Sequence, residues 1–319
     1  MDIGNSRPSR EPCLFDLQVN GFAGIDFQQP SLTMRELELA CEQMRARGVG
    51  GFLFTLITAP LEQTCQQMRK LVEWRRESPI IHEMAVGIHL EGPFISELDG
   101  YRGAHPLHAV LDPTPALLSK FLKSAGGLLR LVTLAPERQG GIDVIRELTD
   151  MGVSVALGHT DASERDIDLA IKAGACMCTH LGNGAPQVMH RHDNIINRLL
   201  ARDELIACFI PDGVHIPFPV LRNYVRTKGW HRSIFTTDCM AAAGAPAGIY
   251  TLGELELVVG ADGLVRQPDR SGFAGSSLTP DGAVQYLCDE LGVPLRDAEL
   301  ALGERVRGLL NLPLIQAGV

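Results

Sequence analysis

Short apolar runs alternate with helical patterns along the chain, and this alternation constrains the fold more than any other feature. The apolar runs, taken as strands, lie at residues 14–19, 52–57, 85–90, 129–134, 154–157, 176–179, 206–210 and 233–236. Most are nearly continuously apolar, which is typical of parallel strands covered on both faces. Eight β-then-α units without a break in composition predict one (β/α)₈ TIM-type barrel domain over residues 1–319, and a doubly wound sheet is the alternative because strand counting does not show closure.

Local signals support this reading and mark two interruptions. Thr33 and Glu36 have the spacing of a helix-opening capping box, and Gly48 is suited to end that helix. A long loop at residues 98–113 follows the third strand, where barrel enzymes place substrate-binding elements. Residues 249–273 alternate around an Asp–Gly pair at 262–263, which predicts a β-hairpin inserted after strand eight.

Charge and composition exclude some classes of function. The formal net charge of −9 argues against nucleic acid or an anionic membrane as the main partner, because both require a positive field. The first twelve residues lack the apolar segment of a signal peptide, and the longest apolar run, residues 52–60, is too short to span a bilayer. Eight scattered cysteines without a C-x-x-C pair predict reduced thiols. We therefore expect a cytoplasmic protein.

Polar side chains that could take part in catalysis or bind a metal lie at the ends of six of the predicted strands. The carboxyl ends of barrel strands meet on one face, where catalytic groups converge. Six polar strand ends therefore predict a site rather than a set of isolated residues. The residues are Gln18 and Asn20 after strand one, Glu91 after strand three, His159 after strand five, His180 after strand six, Asp212 and His215 after strand seven, and Asp238 after strand eight.

Glu91, His159 and His180 together predict a metal site. Ionised and imidazole side chains are costly to bury unless they are paired or bind a metal. Two imidazoles and one carboxylate form the ligand set of a catalytic zinc-type centre with an open position for water. The alternatives are a Glu91 paired with a buried arginine and two hydrogen-bonded core histidines.

Three further residues have candidate roles in hydrolysis. Asp238 at the last strand end is suited to shuttle a proton from water to a leaving amine, the alternatives being a metal ligand or a structural carboxylate. His105 in the long loop can donate a hydrogen bond to a polarised carbonyl, the alternative being a surface histidine. His215 can hydrogen-bond the substrate. The other histidines have no comparable context and are interpreted as structural or surface residues.

Gln18 and Asn20 indicate how many metal ions the site would bind. They lie two residues apart at the end of strand one, where many barrel hydrolases place two histidines for a second metal. Neutral amides bind zinc-like ions poorly. The sequence therefore predicts one divalent ion, with Zn suited to the ligands and Fe, Co or Mn as alternatives.

Several short motifs together resemble the N-acetylglucosamine-6-phosphate deacetylases of the amidohydrolase superfamily. They occur in the family's order, and the resemblance runs from about residue 13 to 312. The motifs are DLQVNG at 16–21, HLEGPFIS at 89–96 with GAH at 103–105, GHT at 158–160, THL at 179–181, DGVH at 212–215, TD at 237–238 and AGSSL at 274–278.

The resemblance implies roles that agree with those above. Glu91, His159 and His180 would bind the metal, Asp238 would be the general acid/base, His105 would bind the scissile amide and His215 the sugar. Members of the family are usually homodimers in which a neighbouring subunit contributes to phosphate binding, so the resemblance implies a homodimer here. The implied substrate-binding residues also include Asn183, Gly184 and Arg191.

The sequence departs from the family pattern in two ways. The family's accessory β-sandwich, built from segments on both sides of the barrel, is expected to be missing here. Residues 182–186 read GNGAP where the family has an aromatic residue followed by Asn-Ala-Met. Asn183 is retained, Gly184 offers a backbone N–H, and Arg191 lies where the family's phosphate-binding arginine is expected; a surface arginine is the alternative.

The resemblance implies removal of the acetyl group from N-acetylglucosamine 6-phosphate, giving glucosamine 6-phosphate and acetate. Such an enzyme is a metal-dependent amidohydrolase acting on a linear amide. One alternative is a deacetylase of another N-acyl amino sugar or N-acyl compound. Another is a sugar-phosphate binding protein that has lost catalysis.

Overall fold

Eight parallel strands form the central sheet of the computed structural model, which describes residues 13–266 and 274–312. Neighbouring strands along the sheet follow one another in chain order, and every pair is parallel. The strands are β1 (Leu14–Val19), β4 (Val49–Leu56), β5 (Ala85–Glu91), β6 (Leu129–Leu134), β7 (Ser154–Leu157), β8 (Met177–Cys178), β9 (Ile206–Phe209) and β10 (Ser233–Phe235), and a short antiparallel pair, β2 (Gly21–Phe22) and β3 (Ile25–Asp26), follows β1.

The sheet closes into a barrel through contacts between its first strand and the segment after its last. Val19 pairs with Cys239 in an isolated parallel bridge, and the Asn20 N–H donates to the Cys239 carbonyl at 2.8 Å. The Asp16 carboxylate accepts from Thr236 Oγ1 at 2.6 Å on the same seam. These contacts confirm the (β/α)₈ barrel and exclude the doubly wound sheet.

Helices connect the strands and cover the barrel. The capping box predicted at Thr33 and Glu36 is present at the start of the first helix. Gly48, with φ +85°, follows that helix and starts the turn into β4. The helices are α1 (Met34–Ala46), α2 (Leu61–Glu77), α3 (Pro79–Met84), α4 (Pro115–Ala125), α5 (Gly141–Asp150), α6 (Glu164–Ala173), α7 (Ile195–Leu200), α8 (Phe218–Lys228), α9 (Pro280–Leu291), α10 (Leu295–Ala301) and α11 (Glu304–Leu309), with 3₁₀ turns at Leu107–Ala109 and Trp230–Arg232.

The barrel interior is apolar at one end and polar at the other. A buried cluster separate from the helix-covered core fills the amino-terminal end, where α11 contributes Val306, and the residue after this helix, Leu310, also packs. The strand residues of this cluster, which we call the floor, are Phe15, Leu17, Leu53, Leu131, Ala156, Met177, Cys208 and Ile234. Further along the strands, His89 Nε2 contacts Thr133 Oγ1 at 2.8 Å, and Thr133 Oγ1 contacts Thr179 Oγ1 at 2.6 Å. This polar layer separates the floor from the barrel mouth.

A three-stranded antiparallel sheet follows the last barrel strand and confirms the predicted insertion. It consists of β11 (Gly248–Leu252), β12 (Leu255–Val259) and β13 (Val265–Arg266), and the Asp–Gly pair at 262–263 lies in the turn between β12 and β13. Residues 267–273, the end of the predicted insertion, lie outside the described residues. Asp26 holds the insertion on the barrel, since its Oδ2 accepts from Thr251 Oγ1 at 2.9 Å and from the Gly253 N–H at 3.0 Å.

The remaining differences from the sequence predictions are small. The second barrel strand begins at Val49 rather than residue 52, because Gly50 and Gly51 are accommodated in the strand. The last three barrel strands are shorter than predicted, ending one residue earlier in each case. No helix among the described residues has the length and apolar character needed to cross a membrane. The single-domain boundaries and the missing β-sandwich stay predictions.

Candidate metal centre and active site

Four of the predicted site residues lie buried at the carboxyl ends of barrel strands. Glu91 ends β5, while His159, His180 and Asp238 follow β7, β8 and β10, and all four are at most 8% exposed. The last three have positive φ angles of 51°, 25° and 51°, a region that non-glycine residues rarely adopt. Such backbone conformations persist only where the surroundings enforce them, and they are concentrated at functional sites.

The Glu91 carboxylate is the centre of this arrangement. Its Oε1 lies 3.1 Å from His159 Nε2 and 2.9 Å from His180 Nε2, and its Oε2 accepts from Gln18 Nε2 at 2.9 Å. Burial alone would raise the pKa of Glu91, but the hydrogen bonds and charges of the two histidines hold it well below its usual value. Glu91 is therefore a buried anion with two imidazoles directed at one oxygen.

His159 is oriented with its Nε2 lone pair toward that oxygen. Its Nδ1 lies 2.9 Å from the Tyr101 carbonyl, which only accepts, so Nδ1 carries the proton. In the neutral ring, Nε2 is then an acceptor facing another acceptor, the Glu91 carboxylate. A cation shared by the two atoms resolves this conflict, and a backbone carbonyl on the second nitrogen is the usual partner of a metal-binding histidine.

The ligand chemistry therefore fits a divalent metal ion. Glu91, His105 and His159 each offer one ligand atom, all within 4.8 Å of one another. The sequence prediction has His180 in place of His105, and His180 Nε2 contacts the same Glu91 oxygen as His159 does. The Nδ1 of His180 is buried without a hydrogen-bond partner among the described residues, so Nε2 is its bonding atom.

His105 is better suited to donate a hydrogen bond than to bind a metal. The Thr58 N–H lies 3.3 Å from His105 Nδ1 and donates to it, which leaves the ring proton on Nε2. Thr58 Oγ1 also contacts Nδ1, at 2.8 Å. Burial, followed by the charge of His159, lowers the pKa of His105 to about 3. His105 is thus a neutral donor whose ring centroid lies 4.3 Å from that of His159.

Asp238 is buried beside this cluster and is held by an amide. Asn20 Nδ2 donates to its Oδ1 at 2.7 Å. Burial, together with the negative charge of Glu91, raises the pKa of Asp238 to about 7. A carboxyl group that gains and loses a proton near neutral pH is suited to general acid/base chemistry.

The predicted substrate-binding residues occupy different environments. His215 Nδ1 lies 2.6 Å from Asp212 Oδ2, and His215 borders a cavity of about 390 Å³ that is also lined by Ser276 and Leu278. Asn183 Nδ2 donates to the His180 carbonyl at 3.1 Å. Arg191 is exposed and forms no hydrogen bond or ion pair within the part of the chain that the structure describes.

Gly184 and Gly103 pack against the His159 ring. A Cβ on Gly184 would lie 2.9 Å from His159 Nδ1, and one on Gly103 would lie 3.3 Å from Cε1. The loops after strands β5 and β8 thus enclose this imidazole. Sequence reasoning did not find Thr58 or the Tyr101 carbonyl, because a hydroxyl and a backbone oxygen have no distinctive sequence signal.

Comparisons with known proteins decide the family. A Bos taurus N-acetylglucosamine-6-phosphate deacetylase is 33% identical over 313 residues, which cover 94% of this chain and 74% of that protein. The chain belongs to this deacetylase family. The Bacillus subtilis N-acetylglucosamine-6-phosphate deacetylase is 33% identical over 250 residues, and the aligned region spans 62% of that protein. No protein-family model matches the chain.

Two further relatives bear on substrate choice within the deacetylase family. An N-acetylgalactosamine-6-phosphate deacetylase from Escherichia coli O157:H7 is 32% identical, with 90% of this chain and 74% of that protein aligned. A Mycobacterium smegmatis N-acetyl-D-glucosamine-6-phosphate deacetylase variant, solved in complex with N-acetyl-D-glucosamine 6-phosphate, superposes with a TM-score of 0.85 at 32% identity. That superposition covers 97% of this chain and 80% of the other.

Proposed function

We propose that the protein hydrolyses the acetamide of N-acetylglucosamine 6-phosphate to give glucosamine 6-phosphate and acetate. The observation that carries the proposal is the buried Glu91 carboxylate facing two imidazoles beside Asp238, in a chain of the deacetylase family. The C–N bond of the amide breaks, a C–O bond to water forms, and the amine leaves with a proton.

Glu91, His159 and His180 would hold one divalent ion, for which Zn is the first candidate and Fe, Co and Mn are alternatives. A divalent ion bound there supplies Lewis acidity, which polarises an amide carbonyl and makes water more acidic. This assignment keeps His105 out of the ligand set, because the Thr58 N–H fixes its proton on Nε2.

The other residues move and hold protons. His105 Nε2–H donates a hydrogen bond to the acyl oxygen as negative charge develops there. Asp238 accepts a proton from the attacking water and passes it to the departing nitrogen. The pKa of about 7 fits both halves of this transfer, because the group gives up and takes up a proton with little bias near neutral pH.

The sugar would bind between His215 and the loop that carries Asn183 and Gly184, with the phosphate at Arg191. His215 is oriented for this role by Asp212. Arg191 has its guanidinium available for an anion, and in a homodimer it would lie near the phosphate-binding elements of a neighbouring subunit. The homodimer is part of the proposal, and the mass of the purified protein in solution tests it.

Acetate release by the protein reconstituted with Zn, Fe, Co or Mn is the direct test. We expect turnover of N-acetylglucosamine 6-phosphate, and we expect Asp238→Asn to abolish it while the bound metal remains. Full activity in that variant would overturn the role of Asp238. A wild-type protein that binds metal and sugar phosphate without releasing acetate would instead be a binding protein.

One observation favours a second substrate, N-acetylgalactosamine 6-phosphate or another N-acyl amino sugar. Residues 182–186 depart from the family motif, and a relative at 32% identity is named for the galactosamine compound. Relative kcat/KM values for the two phosphorylated sugars and for unphosphorylated N-acetylglucosamine separate the alternatives. A preference for an unphosphorylated sugar would remove Arg191 from the proposed site.

A further inference from the structure

Gln18 and Asn20 contact both carboxylates of the site. They stand at the end of β1, and each is 1% exposed. Gln18 Nε2 donates to Glu91 Oε2 at 2.9 Å, and Asn20 Nδ2 donates to Asp238 Oδ1 at 2.7 Å. Sequence reasoning treats these amides only as substitutes for the ligands of a second metal. The structure gives each of them a partner of its own.

Each amide occupies one oxygen of its carboxylate and leaves the other for the reaction centre. Because Gln18 holds Glu91 Oε2, Oε1 is the oxygen that faces His159 and His180. Because Asn20 holds Asp238 Oδ1, Oδ2 is the oxygen left for proton transfer. A carboxylate that rotated about its terminal bond would lose this distinction, so the amides fix which atom acts.

The backbone of Asn20, which carries this side chain, is held on both sides. Its backbone N–H donates to the Cys239 carbonyl at 2.8 Å, and its backbone carbonyl accepts from the Phe27 N–H at 3.0 Å. The side-chain Oδ1 is buried and has no partner among the described residues. The opposite amide orientation would bring Oδ1 against the Asp238 carboxylate, so the contact with Asp238 determines how this side chain is oriented.

The register of β1 against β4 also supports a positioning role for this strand end. The pairing of β1 with β4 is irregular between Asp16 and Val19, which is the segment that carries Gln18. Irregularities of this kind are frequent beside active sites, where they re-aim side chains. Here the strand end directs two amides, two residues apart, at two different carboxylates.

We propose that Gln18 and Asn20 are positioning residues with separate tasks: Gln18 orients the metal ligand Glu91, and Asn20 orients the general acid/base Asp238. The proposal rests on the proposed function for Asp238. The role of Gln18 can also be tested without an activity assay, by measuring how tightly the metal-free protein binds added metal. A failure of the proposed deacetylase function can therefore be distinguished from a failure of the positioning role.

The test uses uncharged changes that keep approximate side-chain size and remove the N–H donor. These are Gln18→Met and Asn20→Leu, with Gln18→Ala and Asn20→Ala as second variants. Gln67→Met is the matched control, since Gln67 is also a buried amide. Its Nε2 donates to the Phe27 and Gln29 carbonyls and so supports the loop after β1 without contacting either carboxylate.

We expect the Gln18 variants to weaken metal affinity by about 10-fold to 100-fold, the usual effect of removing an outer partner of a ligand. The Asn20 variants should leave metal affinity unchanged and lower kcat by about 10-fold to 100-fold with KM nearly constant. Gln67→Met should change neither quantity. Titration of metal into the metal-free variants and steady-state kinetics at saturating metal give both readouts.

The proposal is overturned if the Asn20 variants keep the wild-type kcat, or if the Gln18 variants keep the wild-type metal affinity. It is also overturned if Gln67→Met, at a melting temperature equal to that of the Gln18 and Asn20 variants, shows the same losses, because the effects would then reflect general destabilisation. Absence of acetate release by the wild-type holoenzyme would refute the proposed function, while the Gln18 titration would still decide its half of the inference.

Discussion

His159 depends on its neighbours more than the other residues of the site do. Its Nδ1 donates to a backbone carbonyl, its Nε2 faces Glu91, and two glycines pack on its ring. Its own backbone has a φ of 51°. Orientation of this imidazole is therefore determined by several contacts at once, and changes at residues that do not touch the substrate should alter it.

Gly184→Ala tests this dependence. The new Cβ would lie 2.9 Å from His159 Nδ1 at a residue with φ +59°, so the ring must shift. We expect metal affinity and turnover to fall, alongside a loss of roughly 1–2 kcal/mol in unfolding free energy from the left-handed backbone. Gly127→Ala is the control, because Gly127 has φ +84° and nothing within 4 Å of its Cβ position. Equal metal affinities in the two variants would contradict the prediction.

The ligand set gives a second prediction at this scale. His180→Ala should remove metal binding, because it deletes an imidazole directed at Glu91. His105→Ala should retain the metal and lose about 10²–10³ in kcat, as expected for a lost donor to a developing oxyanion. Metal content after dialysis and kinetics of both variants provide the measurement. The reverse pattern would make His105 the ligand.

Sequence reasoning identified the ionisable residues that the structure brings together in the candidate site. Glu91, His159, His180 and Asp238 are conspicuous because ionisable side chains after apolar strands are rarely accidental. It could not assign partners, since the bond from Asn20 to Asp238 joins residues 218 positions apart. Hydroxyl and carbonyl contacts such as those of Thr58 depend on three-dimensional placement alone.

At the scale of elements, the buried carboxylate of Asp26 bonds the inserted sheet to the barrel, and Gln29 adds a bond from its Nε2 to the Gly253 carbonyl at 2.8 Å. Asp26 Oδ2 accepts from Gln29 Nε2 at 2.8 Å in addition to its bonds from Thr251 and Gly253. The turn between β11 and β12 borders a second cavity of about 240 Å³ that reaches His105. Displacement of this sheet would therefore alter one wall beside the site.

Asp26→Ala should destabilise the protein by about 1–3 kcal/mol, because it removes these bonds together with the one from the buried Gln28 N–H, which donates to Asp26 Oδ1 at 2.9 Å. Denaturant unfolding monitored by circular dichroism measures the change. Asp262→Ala is the control within the same sheet, since Asp262 pairs with Arg266 at its exposed edge and should have little effect. A loss in the control as large as that of Asp26→Ala would refute a specific anchoring role.

Element boundaries followed from the sequence where local chemistry defines them. The Thr33–Glu36 capping box and the strand at Leu129–Leu134 were predicted as found. The strand at Gly248–Leu252 adds a third strand to the predicted hairpin, because it forms by pairing with β12, and no local pattern specifies that pairing. The pair β2–β3 is two residues long on each side and has too little sequence to show a period.

At the scale of the whole molecule, the proposed metal ligands come from three different strands of the barrel. Glu91 lies at the end of β5, while His159 and His180 follow β7 and β8. An ion held by all three would stabilise the closed barrel over the unfolded chain, which has no such site. The metal is thus expected to contribute to stability as well as to chemistry.

Removal of the metal by a chelator should lower the melting temperature, and re-addition should restore it. The expected difference is about 2.7 kcal/mol when the free metal is a hundred times the Kd. Differential scanning calorimetry of the holo and metal-free protein measures it, with a His180→Ala variant as the control that should not respond. Equal melting temperatures for the holo and metal-free wild type would contradict a metal bridging these strands.

The apolar floor of the barrel limits the routes by which small molecules can reach and leave the site. Because Phe15, Leu53, Ile234 and their neighbours fill the amino-terminal end, the interior is a blind pit rather than a tunnel. Whatever reaches Glu91 enters from the mouth and departs by the same opening. At such a site the product would have to leave through this opening before the next substrate molecule could bind.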